Sequence, residues 1–278
     1  ETCQGMYVNF PNVVATSRVK VPFGIAQIGK AFRNEVTPGK FLFRLREFEQ
    51  MELEFFVHPK EGDTWFSYWK EERMKWHRSL GLRDENIRFR QHETTERAHY
   101  ATDSWDIEYN FPEWGFKELE GIANRTDYDL KTHSKWSGKD LSYTDPVTQE
   151  KFVPYIIEPS VGVSRLFLAL LVDSYVKEEK RVVLKLNPKL APVKVAVFPL
   201  VSNKPELVEK ARAIYTSLKQ SLVVAWDDRG NIGKRYLSQD EIGTPWCVTV
   251  DYDTLEDNTV TVRDRDTTKQ VRVNVDSL

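Results

Sequence analysis

Residues 30–56 read KAFRNEV, TPGK and FLFRLREFEQMELEFF, two strand-forming runs either side of a Thr37-Pro38-Gly39-Lys40 turn. Alternate side chains of a strand share a face, so a hairpin here sets Arg33 and Glu35 together on its first arm. On the second arm it aligns Leu42, Arg44, Arg46, Phe48, Gln50, Glu52 and Glu54. The opposite face carries Phe41, Phe43, Leu45, Met51 and Leu53, interrupted by Glu47 and Glu49, and is apolar enough to cover a core. Arginines at both ends of one polar face, with Phe48 between Arg46 and Glu52, suit a polyphosphate gripped by guanidinium forks and a flat base stacked on a ring. Read alone, the pattern also describes a salt-bridged surface hairpin.

A second segment, residues 155–165 (YIIEPSVGVSR), leads into an apolar run over 166–172. The apolar residues before Glu158 predict a buried strand. Leu166, Phe167, Leu170, Leu171 and Tyr175 follow the spacing of a helix with a wide buried stripe. Strand, glycine-containing turn and helix then put Arg165 near a helix N-terminus. A positive charge there opposes the macrodipole by roughly 0.3–1 kcal/mol, so an anion that offsets both is expected. The plainer reading of this segment by itself is a solvated arginine at a helix start.

Phe-Arg-Asn-Glu, a short loop and Arg-x-Arg-Glu-Phe resemble motif 2 of the class II aminoacyl-tRNA synthetases, and residues 155–165 resemble their motif 3. Two further stretches narrow the resemblance to the glycyl-tRNA synthetases: ETCQGMYVNF over residues 1–10, and WGFKELEGIANRTDYDL over 114–130. Four separated motifs in order cover nearly the whole chain. The resemblance implies a catalytic trio of Arg33, Arg44 and Arg165, with Arg33 at the ATP α-phosphate, the other two at the γ-phosphate, and Phe48 stacked on adenine. It implies an ATP site that also includes Asn34, Glu35, Phe43, Leu45, Arg46 and Glu47, then Glu118, Leu119, Gly162, Val163 and Ser164. Ser164 stands where many relatives carry Gly or Asp. For glycine it implies Glu1, Phe48, Glu49, Gln50, Met51 and Glu52, with Glu158, Ser160 and Gly162. Mg²⁺ is expected with the ATP, with Glu118 helping to hold it.

If Glu1, Glu52 and Glu158 converge as the resemblance implies, their charges raise one another's pKa unless a cation joins them. An amino acid's ammonium is such a cation, and Ser160 can add a hydrogen bond. Crowding beyond Cα is then an efficient way to choose glycine by steric exclusion, whereas apolar pockets discriminate poorly against smaller substrates. The expected activity is glycine–tRNA ligation through glycyl-adenylate, with glycine, ATP and tRNA(Gly) as partners. Two rivals remain: a non-catalytic relative that binds nucleic acid as an accessory subunit, and a ligase for another small amino acid. The first would be free to lose the three arginines, all of which are present.

At 278 residues and 40% hydrophobic, the chain can bury at least one sizeable core and is long enough for two domains. No stretch approaches 18 apolar residues and no charged-then-apolar leader opens the chain, so a cytoplasmic protein without membrane span or signal peptide is expected. Cys3 and Cys247 lack CxxC spacing, which fits a reducing compartment and gives no zinc site. A net charge of −2 argues against indiscriminate nucleic-acid binding but leaves room for one specific RNA.

The expected fold is an α+β catalytic domain over residues 1–184, built on the antiparallel sheet of a class II synthetase. A small α/β mixed-sheet domain over 185–278 resembles the class IIa anticodon-binding domain. Class II motif 1, much of the dimer interface in that family, is expected upstream of Glu1, which makes the full-length enzyme a homodimer. Trp65, Trp69, Trp76 and Leu80 predict a helix over 64–80 with an aromatic core stripe. The polar run 88–98, with His92 and nearby His99, predicts a loop, and 177–181 with 187–192 a joint between domains. Beyond it, strands over 193–200, 222–226, 246–250, 259–263 and 270–275, with helices from Pro205 and over 232–241, give the order βαβαβββ. Lys234 and Arg235 are candidate contacts to a nucleic-acid backbone.

Overall fold

The computed structural model describes residues 2–278, so the expectation for Glu1 lies outside the described residues. The chain divides into two units, Glu1–Ala169 and Leu170–Leu278.

The first unit opens with α1 (Gln4–Ser17), whose Met6, Tyr7 and Phe10 pack with Cys3 against Phe56, Leu130 and Ile156. Then come β1 (Phe23–Phe32), β2 (Glu47–Val57), α2 (Gly62–Leu80), β3 (Ile87–Gln91), β4 (Asp103–Phe111) and β5 (Gly115–Thr126). A helix α3 (Tyr128–Ser137), a two-rung hairpin of β6 (Tyr143–Thr144) and β7 (Lys151–Phe152), β8 (Tyr155–Gly162) and α4 (Val163–Ser174) follow. Six strands form one sheet in the order β1-β2-β8-β5-β4-β3, with every neighbouring pair antiparallel. This is the expected α+β core.

Helix α2 begins with Asp63 in its first turn and ends with Arg78 in its last, each sign complementing the macrodipole. Gly81, at φ +106°, closes it by donating to the carbonyls of Arg78 and His77, a left-handed cap that favours glycine. Trp65 and Trp69 lie against Phe55, with ring centroids 4.9 and 5.1 Å away. The tryptophans are only half-buried, however, and the fully buried side chains are Phe66, Met74 and His77.

Four local expectations fail here. The second arm of the hairpin does not run as a strand from residue 41: Lys40 and Phe41 both sit at φ +55°, and a turn follows before β2 starts at Glu47. Two successive left-handed residues break the alternation, so Phe41 is 74% exposed while Phe43 turns in against Phe111 and Trp114. Along β2 the carboxylate face is the more deeply buried one. Glu52, Glu54 and Phe56 are buried, whereas Met51, Leu53 and Phe55 are half-buried, because elements cover both faces of the sheet. Residues 88–91 belong to β3, paired with β4, and not to a loop. On α4, Leu166, Leu168 and Ala169 are buried while Phe167 is exposed, as is Tyr175 just past the helix end, a narrower stripe than the spacing predicts.

The second unit contains the hairpin β9 (Tyr175–Lys177) and β10 (Val182–Leu184), so residues 177–181 are folded structure and not a loose joint. It continues with β11 (Val195–Pro199), α5 (Pro205–Leu218), β12 (Val224–Trp226), α6 (Ile232–Ile242), β13 (Trp246–Val250), α7 (Tyr252–Asp257), β14 (Thr259–Asp264) and β15 (Gln270–Asn274). The sheet order is β12-β11-β13-β14-β15; β12, β11 and β13 are parallel, and β14 and β15 antiparallel, giving the expected mixed sheet. Leu207, Ala211 and Ile214 of α5 pack on Val195, Val197 and Val248. Helix α7, absent from the sequence reading, is set by a capping box in which Asp251 and Thr254 satisfy each other's backbone N–H. Among the described residues, no helix is long and apolar enough to cross a membrane.

Candidate active site

The first unit holds a cavity of about 300 Å³ on one face of its sheet. Its basic wall is Arg33, where the chain leaves β1, Arg44 in the connection, and Arg165 in the first turn of α4. Arg33 carries its guanidinium 5.3 Å from the Phe48 ring centroid. Arg44 lies 3.9 Å from the Glu35 carboxylate. Arg165 donates to the Glu118 main-chain carbonyl at 2.7 Å, lies 3.3 Å from that residue's carboxylate and sits 4.3 Å over Phe43. Leu45, Leu119, Gly162 and Ser164 complete this part of the lining.

The same cavity is lined by Gln50, Glu52, Glu158 and Ser160. Register explains the grouping, since Glu52 pairs with Ser160 and Gln50 with Gly162 across β2 and β8. Gln50 donates to Ser160 Oγ at 2.5 Å, Ser160 donates to Glu52 at 3.4 Å, and the Thr2 hydroxyl donates to the other Glu52 oxygen. Burial pushes the Glu158 carboxyl up to about 7, with the charge of Glu52 adding to the rise and the Arg125 guanidinium opposing it.

Of the remaining sequence candidates, Asn34, Glu47 and Glu49 are exposed and do not line the cavity; half-buried Met51 and Val163 do not line it either. Arg46 is spent on structure: its guanidinium donates to the carbonyls of Glu35 and Val36 and pins the connection.

Several lining residues escaped the sequence reading. Arg125 on β5 is nearly buried and binds Asp129 through two nitrogens at 2.8 and 2.9 Å and Glu158 at 2.9 Å, with Tyr100 stacked 3.8 Å from its guanidinium carbon. An arginine two residues past the apolar Gly121-Ile122-Ala123 stretch of one strand was the available signal, because a buried guanidinium requires partners. His92 stands 2.8 Å from Asp106. Burial, followed by the charge of Glu118, raises the Asp106 carboxyl, and His92 opposes the rise. Glu118 and Asp106 approach one point over Gly121, 3.8 and 3.9 Å from where a Cβ would stand.

In the second unit Arg235 is not available to a nucleic acid. It is 2% exposed and donates to the carbonyls of Pro199, Leu200, Asp227 and Gly230, tying α6 to the end of β11. Lys234 is exposed.

An antiparallel six-stranded sheet, with arginines from a strand-loop-strand and a strand-helix unit around one cavity, defines a class of protein. Residues 1–175 match the tRNA synthetase class II core domain (G, H, P, S and T), and the chain belongs to that family. Residues 194–278 match the anticodon binding domain. At the level of particular proteins, the chain is 58% identical over 282 residues to a glycine–tRNA ligase of Caldanaerobacter subterraneus, covering 100% of this chain and 60% of the relative. It is 56% identical to proteins of that name from Streptomyces coelicolor and Clostridium kluyveri, covering all of this chain and 63% and 60% of theirs. The chain thus spans about 60% of the length of the curated relatives it matches.

Proposed function

We propose that the protein is a glycine–tRNA ligase, which condenses glycine with ATP to glycyl-adenylate and pyrophosphate and then passes glycine to the 3′ end of tRNA(Gly). The observation that carries this reading is one cavity lined both by Arg33, Arg44, Arg165 and Phe48 and by Glu52, Glu158 and Ser160. Three guanidinium groups suit a triphosphate, and the ring suits adenine. The carboxylates suit an ammonium.

No side-chain nucleophile is needed. The glycine carboxylate oxygen bonds to the α-phosphorus as the bond to the pyrophosphate oxygen breaks, and alignment with charge stabilisation supplies the rate. Arg33 neutralises charge at the α-phosphate, and Arg44 and Arg165 take the departing pyrophosphate. Glu118 and Asp106 provide hard oxygen donors at one point of the wall, a set that suits Mg²⁺; the ion would offset polyphosphate charge there. A non-catalytic accessory role leaves three cavity-lining arginines without purpose.

This function puts the protein in the cytoplasm, with residues 1–184 as the catalytic part and 185–278 as the tRNA-anticodon part. It also makes the full-length enzyme a homodimer; edge strand β1 carries exposed Ile28 and Phe32 on which a second copy can pack. The test is exchange of labelled pyrophosphate into ATP by the intact protein. Exchange should depend on glycine and be negligible with alanine or serine, and charging should follow with tRNA(Gly). Exchange that is absent, or equal with alanine, overturns the reading.

A further inference from the structure

Beneath the carboxylates of the cavity lies Glu54, one residue pair further along β2 than Glu52 and fully buried at 0% exposure. Tyr7 of α1 donates its hydroxyl to Glu54 Oε2 at 2.8 Å, and Oε1 is buried without a hydrogen-bond partner among the described residues. Carboxylate oxygens of Glu54 and Glu158 and the Cys3 sulfur all lie within 4.8 Å of one another. Among the described residues the cation that acts on Glu54, Arg125, is already committed to Asp129 and Glu158 and makes no ion pair with Glu54.

A carboxylate in that position is stabilised by one neutral donor and faces a second carboxylate. Burial of such an unpaired charge costs far more than taking up a proton, so the group is held neutral. A neutral carboxyl has one hydroxyl donor and one carbonyl acceptor. Tyr7 occupies the acceptor at Oε2, which leaves Oε1 to carry the proton. Of the two groups within 4.8 Å of the carboxyl, charged Glu158 is a stronger acceptor than the Cys3 sulfur.

We propose that Glu54 is a protonated positioning residue whose Oε1–H donates to Glu158, fixing that carboxylate from below as Arg125 fixes it from the side. The role rests on the ligase reading only in what Glu158 is positioned for, namely the glycine ammonium. Burial first, then the charge of Glu158, raises the Glu54 carboxyl well above the ordinary carboxylate range, against the pull of Tyr7 and Arg125. The charged and titratable groups around the pair are Cys3 and Tyr7 at α1, Glu52 on β2, Arg125 on β5 and Asp129 on α3. Among the described residues, only Arg125 of these is cationic. The pair therefore carries one negative charge, and the single proton sits on the member farther from the guanidinium.

Two readouts test this. Infrared spectra of the protein at pH 8 should contain the carbonyl band of a protonated carboxylic acid that vanishes in Glu54→Gln and shifts to higher frequency in Tyr7→Phe, which removes the donor to Oε2. A wild-type spectrum without such a band, or a band indifferent to both substitutions, overturns the proposal. In pyrophosphate exchange, Glu54→Leu should raise the glycine KM at least tenfold with the ATP KM unchanged. Glu54→Gln, whose amide N–H can donate in place of the hydroxyl, should restore most of that loss; a glutamine variant as impaired as the leucine variant overturns the positioning role. The infrared arm needs no substrate, so a wild type that shows the band but no glycine-dependent exchange overturns the ligase reading and leaves the protonated carboxyl standing.

Discussion

The guanidinium of Arg125 meets the carboxylate of Glu158 at 2.9 Å, Nη1 to Oε2, joining the C-terminal part of β5 to the strand beside it. Both side chains are nearly buried, and the remaining arginine nitrogens are held by Asp129. Removing one partner of such a cluster leaves buried charge uncompensated, which costs about 3–5 kcal/mol. Arg125→Gln should therefore lower the denaturant midpoint of the first unit by a corresponding amount and abolish glycine-dependent exchange. A variant with unchanged midpoint removes the cluster from the stability of this fold.

Arg33→Ala should behave in the opposite way. Its side chain is exposed on the cavity wall and, among the described residues, has no carboxylate partner at ion-pair distance, so the fold should keep its stability. Loss of a charge contact made in the transition state typically costs about 10²–10³-fold in rate. Near-normal exchange by the folded variant excludes Arg33 from the chemistry.

The thiols give a test of packing that needs no assay of function. Cys3 and Cys247 are both 1% exposed, and burial pushes each up to about 12. The thiolate is the reactive form, so neither should be alkylated by iodoacetamide at pH 8 in the native protein. Both should react once the chain is unfolded. Rapid native labelling of either residue, located by mass spectrometry, contradicts the packing described.

Asp240 plays in the second unit the part that Arg125 plays in the first. It is fully buried between Arg263, which binds it at 2.8 and 2.9 Å, and Arg181, at 2.9 Å. Asp240→Asn leaves two guanidinium groups without their shared anion and should destabilise this unit by about 3–5 kcal/mol. Calorimetry or denaturant melts should locate the loss there, with glycine-dependent exchange retained under native conditions.

Where local pattern dominates, the sequence was enough. Strands β11 to β15 and α5 follow from short β-branched runs and from the 3.6-residue spacing of Leu207, Ala211 and Ile214; α7, six residues set by side-chain caps, and the β9–β10 hairpin went unread. Resemblance to motifs brought Arg33, Arg44, Arg165, Glu52, Glu158 and Ser160 together as candidates, and these residues do line one cavity. Strand alternation misjudged the connection before β2, because left-handed Lys40 and Phe41 are individually unremarkable in sequence. It also assigned Glu54 to an open face, since the cover comes from Tyr7, distant in the chain. Arg235 looked like a surface charge for the same reason: its four carbonyl partners lie up to 36 residues away.

The final prediction concerns pH. An ordinary glutamate titrates near 4.3, whereas burial holds Glu158 up at about 7. Above that value Glu158 is charged and can receive an ammonium; below it the carboxyl takes a proton and the attraction goes. The glycine KM should therefore rise as pH falls through about 7, by at most about tenfold per unit for one proton, while the ATP KM stays level. The linkage sign is the reverse of that for a salt-bridged carboxylate. Between about pH 4.3 and 7 the folded state binds this proton and the unfolded state does not, so the group subtracts stability as the pH rises across that window. Glu158→Gln should flatten the glycine profile at the high-KM level. A wild-type glycine KM that is constant from pH 8 to 6 shows that Glu158 does not receive the ammonium.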